Sequence, residues 1–413
     1  MATSDVDRPL LDHFDLRSLP DDFYENPYPY YRALREETPV RQMPDGTLLV
    51  TRHRDLDRIY RDTTTFSSDK KIEFFPKYGE SPLYDHHTTS LVFNDPPLHT
   101  RVRRAIVGAL APRALTPLEP QVAAFVGGLI RNIKPESHFD AVADFGSKIP
   151  IQIIGNLLCV PEDERDQLRD WSLAILGALE PALTEEQERE GNEAVTEFIA
   201  YLETLVARRK RDLKDEEDDI LARLIRETGE GGDLLHHELL QNCIFILNAG
   251  HETTTNTISS GSLLLSQMPE IIAKLQAEPD LWPVAVEEIL RLESPNQLGN
   301  RRAVAPFDID GKTHPEGTLI TLGIGAANRD PDVFEDPDTF RFDRGRNPHL
   351  AFAGGGHLCA GLTVARIEAR VALSMMFEAF PGLVVDGQIV RSRRARFRGF
   401  DSLPMKAVRY PSR

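Results

Sequence analysis

The chain has 413 residues, 41% hydrophobic and 27% charged, which suits a folded globular protein with room for one large core or several average domains. A formal net charge of −17 argues against nucleic acid as a general partner, because the phosphate backbone rewards basic surfaces. Cys159, Cys243 and Cys359 are odd in number and far apart, which suits a reducing cytosol better than a disulfide framework.

The beginning, Met-Ala-Thr-Ser-Asp-Val-Asp-Arg, lacks the basic-then-apolar pattern of a signal peptide, and no run approaches the ~20 apolar residues that span a bilayer. A cytoplasmic protein with no membrane contact is therefore expected. Residues 1–20 are polar and proline-punctuated and read as an N-terminal arm. Pro27-Tyr-Pro-Tyr-Tyr31 leads into a short helix, Pro39 to Thr51 reads as a hairpin around Asp45-Gly46, and a second helix covers about Asp55 to Tyr60. Residues 68–92 mix aromatics, glycine, proline and the pair His86-His87 without a clear period, and read as a long mobile loop.

From Pro97 helical signals dominate, and helices are predicted over 98–110, 116–132, 148–158, 162–178, 184–210, 216–228, 235–268, 269–277 and 280–293. Arg301 to Leu322 turns strand-like, with Asp310-Gly311 and Glu316-Gly317 as turns, and short strands return from Leu383. No repeat or linker divides the chain. The expected fold class is mainly α with a small β region, in a single domain over 1–413.

The longest predicted helix, about 50 Å at 1.5 Å per residue, carries Asn248-Ala-Gly-His-Glu-Thr-Thr-Thr255 in its middle. Gly250 costs ~1 kcal/mol there against alanine, and a threonine can return its hydroxyl to a carbonyl one turn back. A kinked buried helix explains this, and so does chemistry. An acid beside a hydroxyl, Glu252 and Thr253, can relay protons into a dry pocket. A zinc-protease reading of His251-Glu252 fails, because position 255 is Thr255 and not the second histidine.

Phe352-Ala-Gly-Gly-Gly-His-Leu-Cys-Ala-Gly361 places one cysteine among glycines just before an apolar helical run, Leu362 to Phe377. A helix N-terminus favours thiolate over thiol. Structural zinc would want paired cysteines, which are missing, and a nucleophile would want a base, for which His357 lacks an orienting carboxylate. Sole ligation of haem iron is the third use, and a small residue in a tight turn is the fourth.

The decamer resembles the haem-binding signature of the cytochromes P450, with Phe352, Gly355, His357, Cys359 and Gly361 in place and Ala353 where the family usually has glycine. Asn248 to Thr255 resembles the family's oxygen-activation motif, with Glu252 as its acid. Small Ala249 and Gly250 would let dioxygen and a macrocycle approach. Glu288-Ile-Leu-Arg291 resembles the Glu-x-x-Arg motif, whose implied role is structural support of the segment Phe340 to Arg344. The resemblance also implies cationic donors for two haem propionates: His99 and Arg103, one helical turn apart, and Arg301, with its neighbour Arg302 as the competing choice.

Implied with it are the cytochrome P450 fold (a triangular helical domain, a long central I helix and a cysteine-ligand loop) and heme b, with Cys359 as the metal ligand. The implied activity inserts one oxygen atom of O2 into a small organic substrate, by hydroxylation or oxidative dealkylation. Electrons would come from a separate ferredoxin and an NAD(P)H-dependent reductase, docking on Arg101, Arg104, Arg344 and Arg346 of a monomer. Residues 68–92 would be the substrate-access loop, and Val92, Phe245, Asn248, Gln297, Leu298 and Phe400 would line the substrate pocket. Polar Asn248 and Gln297 suggest a compact substrate with a carboxylate, hydroxyl or ether, an aromatic acid among the candidates. A peroxide-driven peroxygenase and a non-catalytic haem sensor are the alternatives.

Overall fold

One helix of 31 residues, His236–Ser266, threads the molecule over about 46 Å. Its first half, through Leu239, Leu240, Cys243, Ile244 and Leu247, packs in a core shared with the helices Asp166–Gly177 and Glu185–Asp212. Its last part, through Ile258, Leu263 and Leu265, packs in a second core with Leu118–Asn132 and Leu362–Ala379. Between the two cores lies the stretch Asn248 to Thr257, which borders a cavity instead. The computed structural model describes residue 11 and residues 14–110, 115–214, 219–228, 232 and 234–409.

The helices predicted from Pro97 onward are present; Leu98–Ala109, Lys148–Leu157 and Trp282–Leu292 border the cavity, and Pro269–Ala277 packs in the second core. The one predicted over 216–228 is observed as Ile220–Arg226, and 215–218 lie outside the described residues. Most of the arm over 1–20 does too, but Leu11 and Phe14 are buried in an aromatic cluster with Phe23, Tyr30 and Tyr31. The Asp45-Gly46 hairpin forms as read, with Val40–Gln42 antiparallel to Leu48–Val50.

The small β region is a five-stranded sheet in the order Val40–Gln42, Leu48–Val50, Leu319–Gly323, Leu298–Ala303, Phe66–Ser67. Only the Leu48–Val50 and Leu319–Gly323 pair is parallel. Asp310-Gly311 makes the turn of a further hairpin, both residues at positive φ (52° and 73°), as a tight two-residue turn requires.

One reading is corrected here. Residues 68–92 are not a structureless loop: they hold helices Lys71–Tyr78 and Pro82–Thr89 and a short 3-10 turn, Leu91–Phe93. The period was hidden because both helices bury polar or aromatic residues. Tyr78, His86, His87 and Thr88 face the protein, whereas Ile72 and Phe75 face solvent.

Candidate active site

The Glu288–Arg291 pair is fully buried, and it sets the path of the chain toward the cysteine. Arg291 Nε and Nη2 donate to the two Glu288 oxygens at 2.8 and 2.9 Å, and its other donors reach the carbonyls of Asn328, Pro337 and Thr339. Glu288 in turn accepts from the Arg341 N–H, Arg344 Nε and Asn347 Nδ2, each at 3.0 Å. Two helix residues therefore hold the segment 337–347 from inside the core. This also corrects the expected docking patch: Arg344 is committed to Glu288 and three carbonyls, and Arg101 pairs with Glu238 at 2.8 Å.

Beyond that segment the glycine loop closes on Cys359, whose N–H donates to the Phe352 carbonyl at 3.0 Å. Gly355 is at φ 61°, and a Cβ there would lie 2.1 Å from the Tyr60 carbonyl oxygen. That glycine is needed for close approach to the helix His53–Arg61, not to the cavity. Gly361 is the opposite case, with nothing within 4 Å of a Cβ and a position on the cavity wall. Ala353 sits at φ 56°, a left-handed conformation that its methyl group makes costly. Phe352 lies beneath the Arg366 guanidinium, 4.9 Å from its ring.

Cys359 opens into a cavity of about 340 Å³. Across it lie Ala249, Thr253 and Thr254 of the central helix, and its side walls include Val92, Phe245, Asn248 and Leu298, as expected. Burial pushes the Cys359 thiol up, while the Gly361 N–H, Arg103 and Arg366 pull the other way. A bound metal ion deprotonates such a thiol outright.

Whether haem fits can be judged from the cavity edge. Arg103, Arg301 and His357 line it, and His99 lies directly behind His357 with ring centroids 4.1 Å apart. His99 Nε2 is buried without a protein partner. Burial, followed by Arg301, His99 and Arg103, drives His357 down to about 3; burial and Arg103 lower His99 as well. The carboxylate that bears on this group, Asp95, is taken up by the Ser67 hydroxyl and the Ser68 N–H. Donors gathered with so little negative charge suit an anion, and the two propionates of haem supply it. Of Arg301 and Arg302, only Arg301 reaches the cavity. Among the described residues no cluster of three or more metal-ligating side chains exists.

The proposed acid and alcohol do not share a side of their helix. Thr253 faces the cavity, its hydroxyl donating to the Ala249 carbonyl at 2.7 Å; Thr255 and Thr257 bond back one turn in the same way, and the helix runs on uninterrupted. Glu252 points away from the cavity lining and pairs with Arg394 at 2.5 Å. Burial raises its carboxyl to about 7 despite that guanidinium. Gly250 borders the cavity, and its Cβ position lies 2.6 Å from the Ile154 terminal methyl, so a larger residue there would displace that side chain.

Two expected pocket residues are elsewhere. Gln297 lies on the opposite side of its extended segment from Asn296 and Leu298, as alternation demands, and its amide donates to the Ser294 carbonyl at 2.7 Å. Phe400 is buried in the core under Arg391, and Phe397 lines the cavity in its place. Gly399 between them lies against the central helix, its Cβ position occupied by the Asn256 side chain.

Sequence reasoning passed over Lys70, Glu368 and Arg396, all on the cavity wall. Glu368 was visible as a lone acid inside the apolar run after Cys359. It is 2% exposed, bonded to Thr254, and raised by burial to about 8. Arg396 was hidden in a run of five arginines, Arg391, Arg393, Arg394, Arg396 and Arg398, that gives no sign of which one turns inward.

Comparison with known proteins agrees with this geometry. The family model for cytochrome P450 matches residues 25–396. A biotin biosynthesis cytochrome P450 of Bacillus subtilis is 33% identical over 391 residues, covering 93% of this chain and 97% of that protein. The cytochrome P450 monooxygenase PikC of Streptomyces venezuelae is 33% identical over 404 residues, covering 95% and 94%. The solved structure of P450BioI in complex with a hexadec-9Z-enoic acid ligated acyl carrier protein superposes with a TM-score of 0.87 at 32% identity, covering 94% of this chain and all of that one. The chain belongs to the cytochrome P450 family. It is a P450 monooxygenase, and its cofactor is heme b.

Proposed function

We propose that Cys359 would ligate the haem iron and that Arg103, Arg301, His99 and His357 would hold its propionates. The observation that carries this reading is one cavity walled by the Cys359 loop on one side and by Ala249 and Thr253 on the other, with the cationic edge between them. Haem bound there supplies the iron at which dioxygen is reduced and split, a step that thiolate ligation favours.

The protein's own groups do the rest. Apolar walls from Leu91, Ile106, Leu176, Phe245 and Phe397 exclude water and hold an organic substrate. Thr253 presents its hydroxyl to the cavity. Glu252, poised near neutrality, takes protons on the Arg394 side, where that arginine is 20% exposed, and passes them toward Thr253 through water or a turn of its own side chain. Electrons come from a separate ferredoxin and its NAD(P)H-dependent reductase. Glu288 and Arg291 support the loop and take no part in the chemistry.

The test is the spectrum of the reduced protein under carbon monoxide. A thiolate-type Soret band that Cys359→His abolishes supports the ligand assignment; a histidine-type band in undamaged native protein overturns it. Product formed with NADH and surrogate redox proteins supports the electron route. A peroxide-driven reading is favoured by one feature, the turn of Glu252 away from the cavity. Product formed with hydrogen peroxide and not with NADH would establish it.

A further inference from the structure

The cavity contains more positive charge than the haem propionates account for. Arg103 is the cavity cation that acts on Cys359, and Arg301 sits with Tyr60, its guanidinium 5.0 Å from that ring. Lys70 and Arg396 add two further cations to the same wall, and Lys70 feels the charge of Arg301 and, less strongly, that of Arg396. Lys70 is 5% exposed, and its ammonium donates to Glu73 at a long 3.3 Å. Burial drives Lys70 down to about 8 and lowers Arg396 as well, so both charges are poorly solvated. Arg396 is anchored by the Leu298 carbonyl at 3.2 Å and Asn300 Oδ1 at 2.5 Å, while its Nε has no partner.

Each cation has one acid as its main counter-charge, Glu73 for Lys70 and Glu180 for Arg396, and neither acid is committed to it in full. Glu73 meets Lys70 with one oxygen, and its other oxygen is unpartnered. Glu180 accepts from the backbone N–H groups of Ala395 and Arg396, and burial raises its own carboxyl. The remaining polar feature is Asn248, 3% exposed, on the wall, with both side-chain atoms unpartnered. The rest of the wall is largely apolar, from Leu91, Val92, Leu176, Leu179, Phe245 and Phe397.

Buried cations facing an apolar chamber are stabilised by an anion that brings its own apolar body. We propose that the substrate is an amphiphilic carboxylate, whose head group is held by Arg396 and Lys70 and whose apolar part fills the chamber beside Thr253. This rests on the monooxygenase reading above and names its substrate class. A fixed head group would decide which carbon reaches the iron. The free acid is the ligand, not a carrier-bound acyl thioester, because the thioester has no charge to offer these two residues.

The experiment uses the haem-loaded protein, first shown to give the thiolate-type carbon monoxide spectrum. Affinities of decanoate, decan-1-ol and the N-acetylcysteamine thioester of decanoate are measured by the substrate-induced Soret shift and by calorimetry. The acid should bind about 10- to 100-fold tighter than the alcohol or the thioester, the range expected for charge-assisted hydrogen bonds. Arg396→Leu should remove most of that preference with alcohol binding nearly unchanged, and Arg396→Lys should restore part of it. Because Arg396 also pins Asn300, Lys70→Met provides the same contrast should Arg396→Leu fail to fold.

Equal affinity for acid and alcohol in the native protein overturns the proposal, as does an acid preference that survives both Arg396→Leu and Lys70→Met, or tighter binding of the thioester. Loss of haem from either variant with acid preference intact assigns these cations to the propionates and also overturns it. None of these results touches the ligand assignment, which stands or falls on the carbon monoxide spectrum alone.

Discussion

Substituting Glu288 by glutamine tests whether a catalytically silent pair holds the cysteine loop in place. The carboxylate is fully buried and accepts five hydrogen bonds, from Arg291 twice, the Arg341 N–H, Arg344 and Asn347. Glutamine keeps the shape but leaves one acceptor oxygen, and its NH2 group meets donors. The Arg291 guanidinium would then be a buried charge without a counter-ion, a change worth about 3–5 kcal/mol. At about 2 cal/mol/K per residue over 413 residues, that lowers Tm by roughly 3–6 °C. Circular dichroism gives the Tm, and the carbon monoxide spectrum reports the loop. Thiolate ligation should be lost before the helices melt, because the segment 337–347 leads directly into the cysteine loop. Arg189→Ala, which breaks only exposed ion pairs on the Glu185–Asp212 helix, should leave both readouts unchanged. The pair is also pH-dependent. Burial alone would raise Glu288, but Arg291 and its other donors hold it below the ordinary value. Its stabilisation is therefore present above the unfolded carboxyl pKa of about 4 and is lost as pH falls through the lower folded value. A Glu288→Gln protein that melts within about 1 °C of the native one and keeps its thiolate spectrum would refute the reasoning.

Turnover that uses Glu252 as a proton donor should be lost as pH rises through about 7, and Glu252→Gln should lower coupled product formation by about 100-fold. Arg394→Gln should move that limb to higher pH, because the guanidinium is what draws the carboxyl down; an unmoved pH–rate profile would exclude Glu252 from the relay. In the cysteine loop, Ala353→Gly relieves a left-handed alanine and should raise Tm by about 1 °C, net of the entropy glycine adds to the unfolded chain. Gly355→Ala puts a methyl 2.1 Å from the Tyr60 carbonyl at positive φ and should collapse haem incorporation, measured as haem per protein after purification.

The local pattern along the chain was enough to place the long helix His236–Ser266, the short strands around Leu298–Ala303 and Leu319–Gly323, and the cysteine at the mouth of Leu362–Ala379. Periodicity, turn residues and helix breakers act over a few residues, so they can be read without knowing what lies across the fold. The inward or outward aim of single side chains is different. Glu252 and Thr253 are neighbours in sequence, yet one meets Arg394 and the other the cavity, because successive residues on a helix point about 100° apart and only the packing of the Asp166–Gly177 helix and of the C-terminal hairpin, Val390–Arg391 antiparallel to Phe400–Ser402, decides which side is dry. Gln297 and Phe400 were lost to the same uncertainty. So were Lys70 and Arg396, residues 326 positions apart, whose shared wall exists only once the sheet and the last hairpin have closed over the central helix.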